Sequence, residues 1–290
     1  MKKFSIGILC FALCLFIGGA SAQKKGHLLI IGGGKKPSDA LEKFVALSGN
    51  GPILVITSAS GEPEKEGPSV VKQLINAGAK NIRWLHIDRP EIANTDSVVK
   101  LIEAASAIFF TGGVQERLMQ RIGGTRSEAA IKKIYFELGG VIGGTSAGAA
   151  VMSEVMITGN ELINKDTTDA FTTIQANNIE TKRGFGFLDK VIIDQHFAAR
   201  KRHNRLISLV LEHPNLVGIG IDEDTAILVQ PNGKFKVYGK GSVIVYDARK
   251  AKSIQVNKDG LLSGRNLKMA VLVDGDEFVI NTKSRKTNLK

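Results

Sequence analysis

The sequence is poor in cysteine and in aromatic residues, and each shortage excludes a class of function. Its only two cysteines among 290 residues, Cys10 and Cys14, lie within the first 22 positions. The rest of the chain therefore has no disulfide, no thiolate metal site and no cysteine nucleophile. Aromatic residues make up 6% of the chain and do not alternate with basic residues. We therefore expect no nucleic-acid partner.

Motifs for metal, phosphate and cofactor binding are also missing. The glycines at 32–34 are followed by Lys35, Lys36 and Pro37. This segment lacks the serine or threonine of a phosphate-binding loop and the last glycine of a dinucleotide-binding motif. No H-E-x-x-H segment occurs, and the spacing of the histidines does not predict a zinc site. We expect neither a metal nor a cofactor.

The first 22 residues have the pattern of a secretory signal peptide. Residues 2–3 are lysines, residues 6–17 are apolar, and Ala20-Ser21-Ala22 is a small-residue cleavage site. The apolar segment is short for a membrane span, although an uncleaved anchor is the alternative. We expect an exported protein, periplasmic or secreted, without stable insertion in a membrane.

Basic residues outnumber acidic residues, and the excess is concentrated near the C-terminus. The formal net charge is +11, and removal of residues 1–22 would leave +9 because two lysines and no acids are lost. From Arg249 onward there are ten Lys or Arg and four Asp or Glu. We interpret this stretch as a basic C-terminal tail on a single domain, residues 23–290. The oligomeric state is not fixed by the sequence, and a homodimer is compatible with it.

Short apolar runs alternate with amphipathic stretches, which predicts an α/β fold with a doubly wound, mostly parallel sheet. The runs are followed by turns rich in glycine or small polar residues. After Thr225 a Pro-Asn-Gly turn between two apolar runs predicts added antiparallel strands. The polar residues 157–186 predict an irregular binding loop. The apolar runs lie at residues 27–31, 52–57, 82–87, 107–111, 140–148 (which continues through a glycine turn), 190–196 and 216–223, and the predicted helices at 38–48, 68–77, 127–138, 149–152 and 198–211.

A G-x-S-x-G segment at residues 144–148 is the most specific catalytic signal in the chain. It follows an apolar run and precedes small residues, as expected for a serine held on a sharp turn from strand to helix. Ser146 is thus the candidate nucleophile. The N–H of Ala147, at the start of the helix, would face a developing oxyanion. A glycine-rich turn that only packs the helix on the sheet is the alternative.

His196 is the best candidate for a general base, because it alone among the histidines ends a buried run within a polar cluster. The sequence offers several candidates for the acid that orients this histidine. Glu223 ends the next apolar run and would reach the same edge of the sheet. The alternatives that remain open are Asp222, Asp194, Glu161 and Asp166.

Further candidates follow the other runs. Gly113 would supply a second oxyanion N–H, and Gln115 would bond a substrate amide. Three arginines close after His196 are suited to bidentate binding of substrate carboxylates, although a run of charges is usually a solvated face. These are Arg200, Arg202 and Arg205.

Four segments together resemble one family. "GGTSAGAAVMS", "FFTGGVQERL", "IDQHFAARKRHNRL" and "GIGIDEDTA" are similar to the cyanophycinases of peptidase family S51, whose other branch is the aspartyl dipeptidases. The resemblance implies a fold like that of class I glutamine amidotransferases. It implies a triad of Ser146, His196 and Glu223, and keeps Glu161 and Asp166 open because family accounts also place the acid shortly after the nucleophile. The substrate contacts that it implies are Gln115, Asp194, Gln195, Arg200, Arg202 and Arg205.

The resemblance also implies the reaction. Cyanophycinases release β-Asp-Arg dipeptides from cyanophycin, a polyaspartate with arginine joined to each β-carboxyl group. We therefore expect an exported serine peptidase acting on this polymer. The alternatives are an exopeptidase for short Asp-containing peptides and a non-catalytic binding protein. Val114 stands where cyanophycinases commonly have aspartate, so the specificity could differ.

Overall fold

The structure is a computed structural model that describes residues 25–163 and 171–280. The predicted signal peptide and Asp166 lie outside the described residues, as do residues 281–290. The sixteen strands of the described residues are β1 (His27–Ile31), β2 (Ile53–Ile56), β3 (Ile82–Leu85), β4 (Ala107–Phe110), β5 (Val141–Thr145), β6 (Val155–Glu161), β7 (Ile179–Arg183), β8 (Val191–Gln195), β9 (Val217–Ile221), β10 (Thr225–Val229), β11 (Lys234–Gly239), β12 (Val243–Asp247), β13 (Lys252–Val256), β14 (Leu262–Arg265), β15 (Lys268–Leu272) and β16 (Glu277–Val279).

Helices connect the strands of the first half and flank the sheets. The eight helices of the described residues are α1 (Ser38–Leu47), α2 (Pro63–Asn76), α3 (Pro90–Ala93), α4 (Asp96–Glu103), α5 (Gln115–Ile122), α6 (Arg126–Phe136), α7 (Ala147–Ala150) and α8 (His203–Glu212). Helix α2 begins five residues before the predicted start at 68. Pro63 at its first turn has the backbone angle that a helix start needs, and Glu64 and Glu66 favour the positive end of the helix dipole.

The central sheet has eight strands in the order β16-β11-β10-β1-β5-β4-β2-β3. The five strands from β1 to β3 in this order are parallel, and β10, β11 and β16 continue the sheet in antiparallel pairing. This arrangement confirms the predicted mostly parallel α/β sheet and the added antiparallel strands. Alternate residues of one strand face different cores, as with Leu28 and Leu29. Continuous apolar runs follow from this burial on both faces.

Strands β8 and β9 do not extend the central sheet. They are parallel to each other but form a second sheet of four strands, in the order β15-β12-β9-β8. One face of this sheet, including Ile193 and Ile219, shares a core with the central sheet and α7. Its other face, including Ile192, packs against Leu206 and Leu209 of α8. The fold therefore brings the carboxyl ends of two different sheets to one place.

The prediction of an irregular loop over residues 157–186 is wrong at both ends of that stretch. Strands β6 and β7 pair there in antiparallel fashion, with an irregularity of register between Ile157 and Glu161. Their outer residues are polar because much of the pair is exposed, which leaves only a weak strand pattern in the sequence.

The basic stretch that begins at Arg249 is folded as far as Ile280. It contributes β13 to β16, of which β15 and β16 are edge strands of the two large sheets. Its described basic residues lie on exposed strands (Lys252, Arg265 and Lys268) or in turns (Arg249, Lys250 and Lys258), which explains why the sequence pattern looked like that of a solvated tail. Among residues 25–163 and 171–280, no helix has the length and apolarity needed to cross a membrane.

Candidate active site

Ser146 lies on the sharp turn between β5 and α7, at the carboxyl end of the central sheet. Its backbone angles are φ 53° and ψ −113°, which L-residues rarely adopt. The two glycines of the motif are required by close packing. A Cβ atom on Gly144 would lie 2.3 Å from the carbonyl oxygen of Gly148, and one on Gly148 would lie 2.5 Å from that of Phe110. This geometry is that of a nucleophile turn.

His196 follows β8 of the second sheet and contacts Ser146 directly. The Oγ atom of Ser146 lies 2.8 Å from Nε2 of His196, and Nδ1 of His196 lies 2.6 Å from Oε1 of Glu223. A carboxylate only accepts hydrogen bonds, so Nδ1 carries the proton and Nε2 accepts from the serine hydroxyl. In this arrangement the imidazole can take the proton of Ser146 when the oxygen attacks.

The other candidate acids within the described residues bond elsewhere. Glu161 accepts a hydrogen bond from Nδ2 of Asn178 at 2.8 Å. Asp222 accepts one from the main-chain N–H of Ala199 at 2.9 Å. Asp194 is engaged by an arginine. Among the acids that the structure describes, Glu223 is therefore the one that hydrogen-bonds the imidazole ring of His196.

The glycines at 32–34, which the sequence analysis considered only as a phosphate loop, hold the histidine in place. A Cβ atom on Gly33, which has φ 124°, would lie 2.2 Å from Cε1 of His196. The carbonyl of Gly32 accepts the main-chain N–H of His196 at 2.7 Å, and that of Gly33 accepts the N–H of Asp224 at 2.9 Å. The signal in the sequence was three glycines at the end of the first strand, but the partner is 163 residues away and in another sheet.

Two main-chain N–H groups near Ser146 are available to an oxyanion. Within the described part of the chain, neither Gly113 nor Ala147 donates its N–H to another residue. Gly112 faces Ser146, since a Cβ atom there would lie 3.4 Å from Cβ of the serine. Gly113 has φ 133° and packs against the carbonyl of Ala59. Both N–H groups can therefore donate to a substrate oxygen.

Gln115 has a different placement from the one predicted. Its side chain is buried, and Nε2 donates to the carbonyl oxygens of Ile157 at 2.9 Å and Thr158 at 2.6 Å. Both protons of the amide nitrogen are thus used to join the start of α5 to β6. The amide nitrogen therefore has a structural role, and a hydrogen bond between the side-chain oxygen of Gln115 and a substrate amide stays a prediction.

Asp194 and Arg205 pair with each other in the interior. Nε of Arg205 donates to Oδ2 of Asp194 at 2.7 Å, and Nη2 donates to Oδ1. Both residues are 1% exposed, and the guanidinium lies over the ring of Phe171 at 4.7 Å. This placement differs from the predicted substrate contact, because the carboxylate that Arg205 binds belongs to the protein. Such a bidentate pair positions the end of β8, on which His196 depends.

Beside this pair, three buried polar atoms lack a hydrogen-bond partner within the described residues: Oε1 of Gln195, Nε of Arg202 and Nη1 of Arg205. Nη1 of Arg202 donates to the carbonyl of Gln195 at 2.6 Å. Burial, with Arg205 nearby, lowers the pKa of Arg202 to about 10, so it stays charged at neutral pH. Leaving buried polar atoms unpaired is unfavourable, and a polar ligand would satisfy them.

The surroundings of His196 keep its imidazole neutral. Burial lowers its pKa, the hydrogen bond to Glu223 raises it, and the charges of Arg200 and Arg202 lower it further. The net shift is downward from 6.5. A neutral imidazole is the form that accepts a proton, so the site has its base available at neutral and mildly acidic pH. No group of three or more potential metal ligands occurs among residues 25–163 and 171–280.

Comparison with known proteins agrees with this geometry. Residues 28–237 match the model of peptidase family S51. A cyanophycinase from Nostoc sp. is 35% identical over 269 residues, which cover 88% of this chain and 85% of that protein. One from Geminocystis herdmanii is 34% identical over 274 residues, 91% of this chain and 95% of that protein.

A solved structure supports the fold. The crystal structure of a peptidase from an acI-B1 Actinobacterium superposes with a TM-score of 0.62 at 20% identity, covering 88% of this chain and 97% of the other. A strand-to-helix turn carrying a serine, a family match over most of the chain and relatives at this level of identity lead to one conclusion. The chain is a serine-type peptidase that belongs to peptidase family S51.

Proposed function

We propose that this protein is an exported cyanophycinase that hydrolyses cyanophycin to β-Asp-Arg dipeptides. The observation that carries the proposal is the continuous hydrogen-bonded series of Ser146, His196 and Glu223 in a chain whose relatives at 32–35% identity are named cyanophycinase. An intact series of this kind favours an enzyme over a binding protein that has lost catalysis.

In the proposed reaction Oγ of Ser146 attacks a backbone carbonyl of the polymer while Nε2 of His196 takes its proton. The N–H groups of Gly113 and Ala147 hold the oxyanion. His196 then gives the proton to the leaving amine, and an acyl-enzyme remains on the serine. Water attacks the ester with His196 again as base. Glu223 stabilises the imidazolium in both steps.

The buried polar cluster of Gln195, Arg202 and Arg205, beside the triad, supports a substrate that carries both a positively and a negatively charged group. Each unit of cyanophycin carries a guanidinium and a free carboxylate. Oε1 of Gln195 is an acceptor suited to the guanidinium, and Nε of Arg202 is a donor suited to the carboxylate. Arg200 is exposed at the same edge and provides a second cation for the carboxylate.

The test is incubation of residues 25–290 with insoluble cyanophycin and, separately, with α-Asp dipeptides, followed by mass spectrometry of soluble products. We expect β-Asp-Arg from the polymer. Cleavage of the dipeptides without release from the polymer would move the assignment to the exopeptidase branch. No cleavage of either substrate would favour the binding protein.

Export rests on the sequence pattern of residues 1–22. We expect the full chain, expressed in a Gram-negative host, to be recovered outside the cytoplasm with Gln23 as its N-terminus, which N-terminal sequencing of each fraction measures. Recovery of active, uncleaved protein only from the cytosol would overturn this part of the proposal.

Replacing Arg200 by glutamine should raise the pKa of His196, because a cation that disfavours the imidazolium is removed. The acid limb of the pH profile of kcat/KM should therefore move to higher pH, with activity lost first under mildly acidic conditions. The control is Lys201→Gln, which removes the exposed charge next in sequence, one that is not among the charges shifting the pKa of His196. An acid limb that stays in place in Arg200→Gln would contradict the electrostatic coupling.

Replacing Gly33 by alanine should lower kcat on the order of 100-fold, because the new methyl group displaces the imidazole ring from Ser146. The matched control is Gly78→Ala, where φ is also positive, at 100°, and a Cβ atom meets no atom within 4 Å. Both variants strain the backbone, and Gly33→Ala adds the contact with His196, so its thermal stability should fall by at least as much as that of the control. Equal kcat in the two variants would show that the contact does not position His196.

A further inference from the structure

Two arginines lie on the same face of α5, one turn apart, directly after the loop of residues 112–114. Arg117 and Arg121 are in i and i+4 positions, where like charges destabilise a helix. Burial, together with the charge of Arg117, lowers the pKa of Arg121. The helix therefore keeps two positive charges close together, although their repulsion destabilises it.

Both guanidiniums are anchored to the loop that supports Gly113. Nη1 of Arg117 donates to the carbonyl of Ala59 at 3.2 Å, and Nη1 of Arg121 donates to that of Ser58 at 2.8 Å. The same Ala59 carbonyl is the atom that a Cβ on Gly113 would meet at 2.1 Å. The two arginines are thus held at a fixed position relative to the candidate oxyanion site.

Neither arginine has an anionic partner among residues 25–163 and 171–280. Arg126 pairs with Asp96, and the acid that acts on Arg121 through space, Asp88, forms its ion pair with Arg89. Each guanidinium has five N–H donors, and one nitrogen of each is used on a main-chain carbonyl. Most of the donor capacity of these two cations is therefore left for a ligand.

The neighbouring side chain adds no negative charge. Nδ1 of His86 lies 3.0 Å from Oγ1 of Thr57, and Nε2 lies 3.5 Å from Nη1 of Arg121. Burial lowers the pKa of His86, so the ring is neutral at neutral pH.

The approach to Arg117 is open on the side of Gly61. This glycine is exposed, and a Cβ atom there would lie 3.6 Å from Nη1 of Arg117 with no other atom within 4 Å. A longer side chain at this position would reach the guanidinium.

We infer that Arg117 and Arg121 form a second subsite, which binds a carboxylate on the substrate unit next to the one that Ser146 attacks. The inference rests on the proposed function for the identity of the substrate. In cyanophycin every arginyl group has a free carboxylate, so a neighbouring unit carries the group that two guanidiniums bind. The subsite would make binding depend on more than one unit of the polymer.

The test measures binding in the Ser146→Ala background by calorimetry, with a soluble oligomer of three β-Asp-Arg units. A matched oligomer has its arginyl carboxylates converted to amides. Arg117→Gln and Arg121→Gln should each weaken binding of the free-carboxylate oligomer on the order of tenfold and leave binding of the amide oligomer unchanged. Gly61→Glu should weaken it similarly while keeping both arginines, because its carboxylate competes for the subsite.

The matched control is Arg265→Gln, which removes an exposed arginine of β14. The neighbouring Gly264 lies near Leu211, at the C-terminal end of α8, and His196 precedes the N-terminal end of that helix. It should bind both oligomers as the parent does. Unchanged affinity in both arginine variants and in Gly61→Glu would overturn the subsite.

Hydrolysis of cyanophycin by the protein with intact Ser146, measured in parallel, separates this result from the proposed function. Hydrolysis with unchanged affinities overturns the subsite alone. Carboxylate-dependent binding without hydrolysis supports the subsite and contradicts the proposed cyanophycinase activity. Absence of both overturns both.

Discussion

The Ser146→Ala variant is expected to lose hydrolysis of cyanophycin by about 10⁶ in kcat, because no other described group can replace the nucleophilic oxygen. Substrate affinity should be nearly unchanged, since the polar cluster and the main-chain N–H groups remain. Stability should change by no more than about 1 kcal/mol, the net value of one hydrogen bond to His196. Single-turnover kinetics with β-Asp-Arg oligomers, calorimetry with the same oligomers and a thermal melt measure the three quantities.

The control for this variant is Ser69→Ala, which removes an exposed hydroxyl on α2. It should have normal kcat and a similar melting temperature. Hydrolysis retained by Ser146→Ala would remove the serine as nucleophile. A large loss of stability would mean that the positive φ of the turn depends on the hydroxyl, and the loss of activity would then have another explanation.

Glu223→Gln should lower kcat by about 10³. The amide can no longer stabilise the imidazolium that forms on His196, nor select the ring tautomer through a carboxylate. A fully buried acid would give about 10⁴. The side chain of Glu223 is 41% exposed, so solvent screens part of its charge and the smaller loss is expected. Steady-state kinetics at a pH above the pKa of His196 measure the effect.

Two other acids serve as controls for Glu223→Gln. Glu161→Gln alters a bond to Asn178, and Asp222→Asn alters the bond to the N–H of Ala199. Neither touches the imidazole ring, so each should change kcat only a few-fold. A loss in Glu161→Gln larger than that in Glu223→Gln would move the acid to the segment after the nucleophile.

The parallel strands of the fold were predictable because their runs of apolar residues match their burial between two cores. Runs such as residues 27–31 and 107–111 are apolar throughout, since each lies between two cores. The turn at Ser146 was predictable because its glycines are required by contacts within a few residues and by a neighbouring strand. In these places the local sequence pattern is enough to predict which residues are buried.

The parts that were not predicted depend on contacts between distant residues. The second sheet joins β8 and β9 to β12 and β15, which no local pattern distinguishes from an extension of the first sheet. Asp194 and Arg205 have the composition of a substrate site, but their burial follows from the packing of α8 on that sheet. The contact between Gly33 and His196 likewise needs both sheets in place.

Because Ser146 belongs to one sheet and His196 with Glu223 to the other, catalytic competence arises only when the two have docked. The two sheets meet in one shared core, so any change that disturbs their packing should separate Ser146 from His196. A peptidase organised this way has no assembled triad until both sheets are in place.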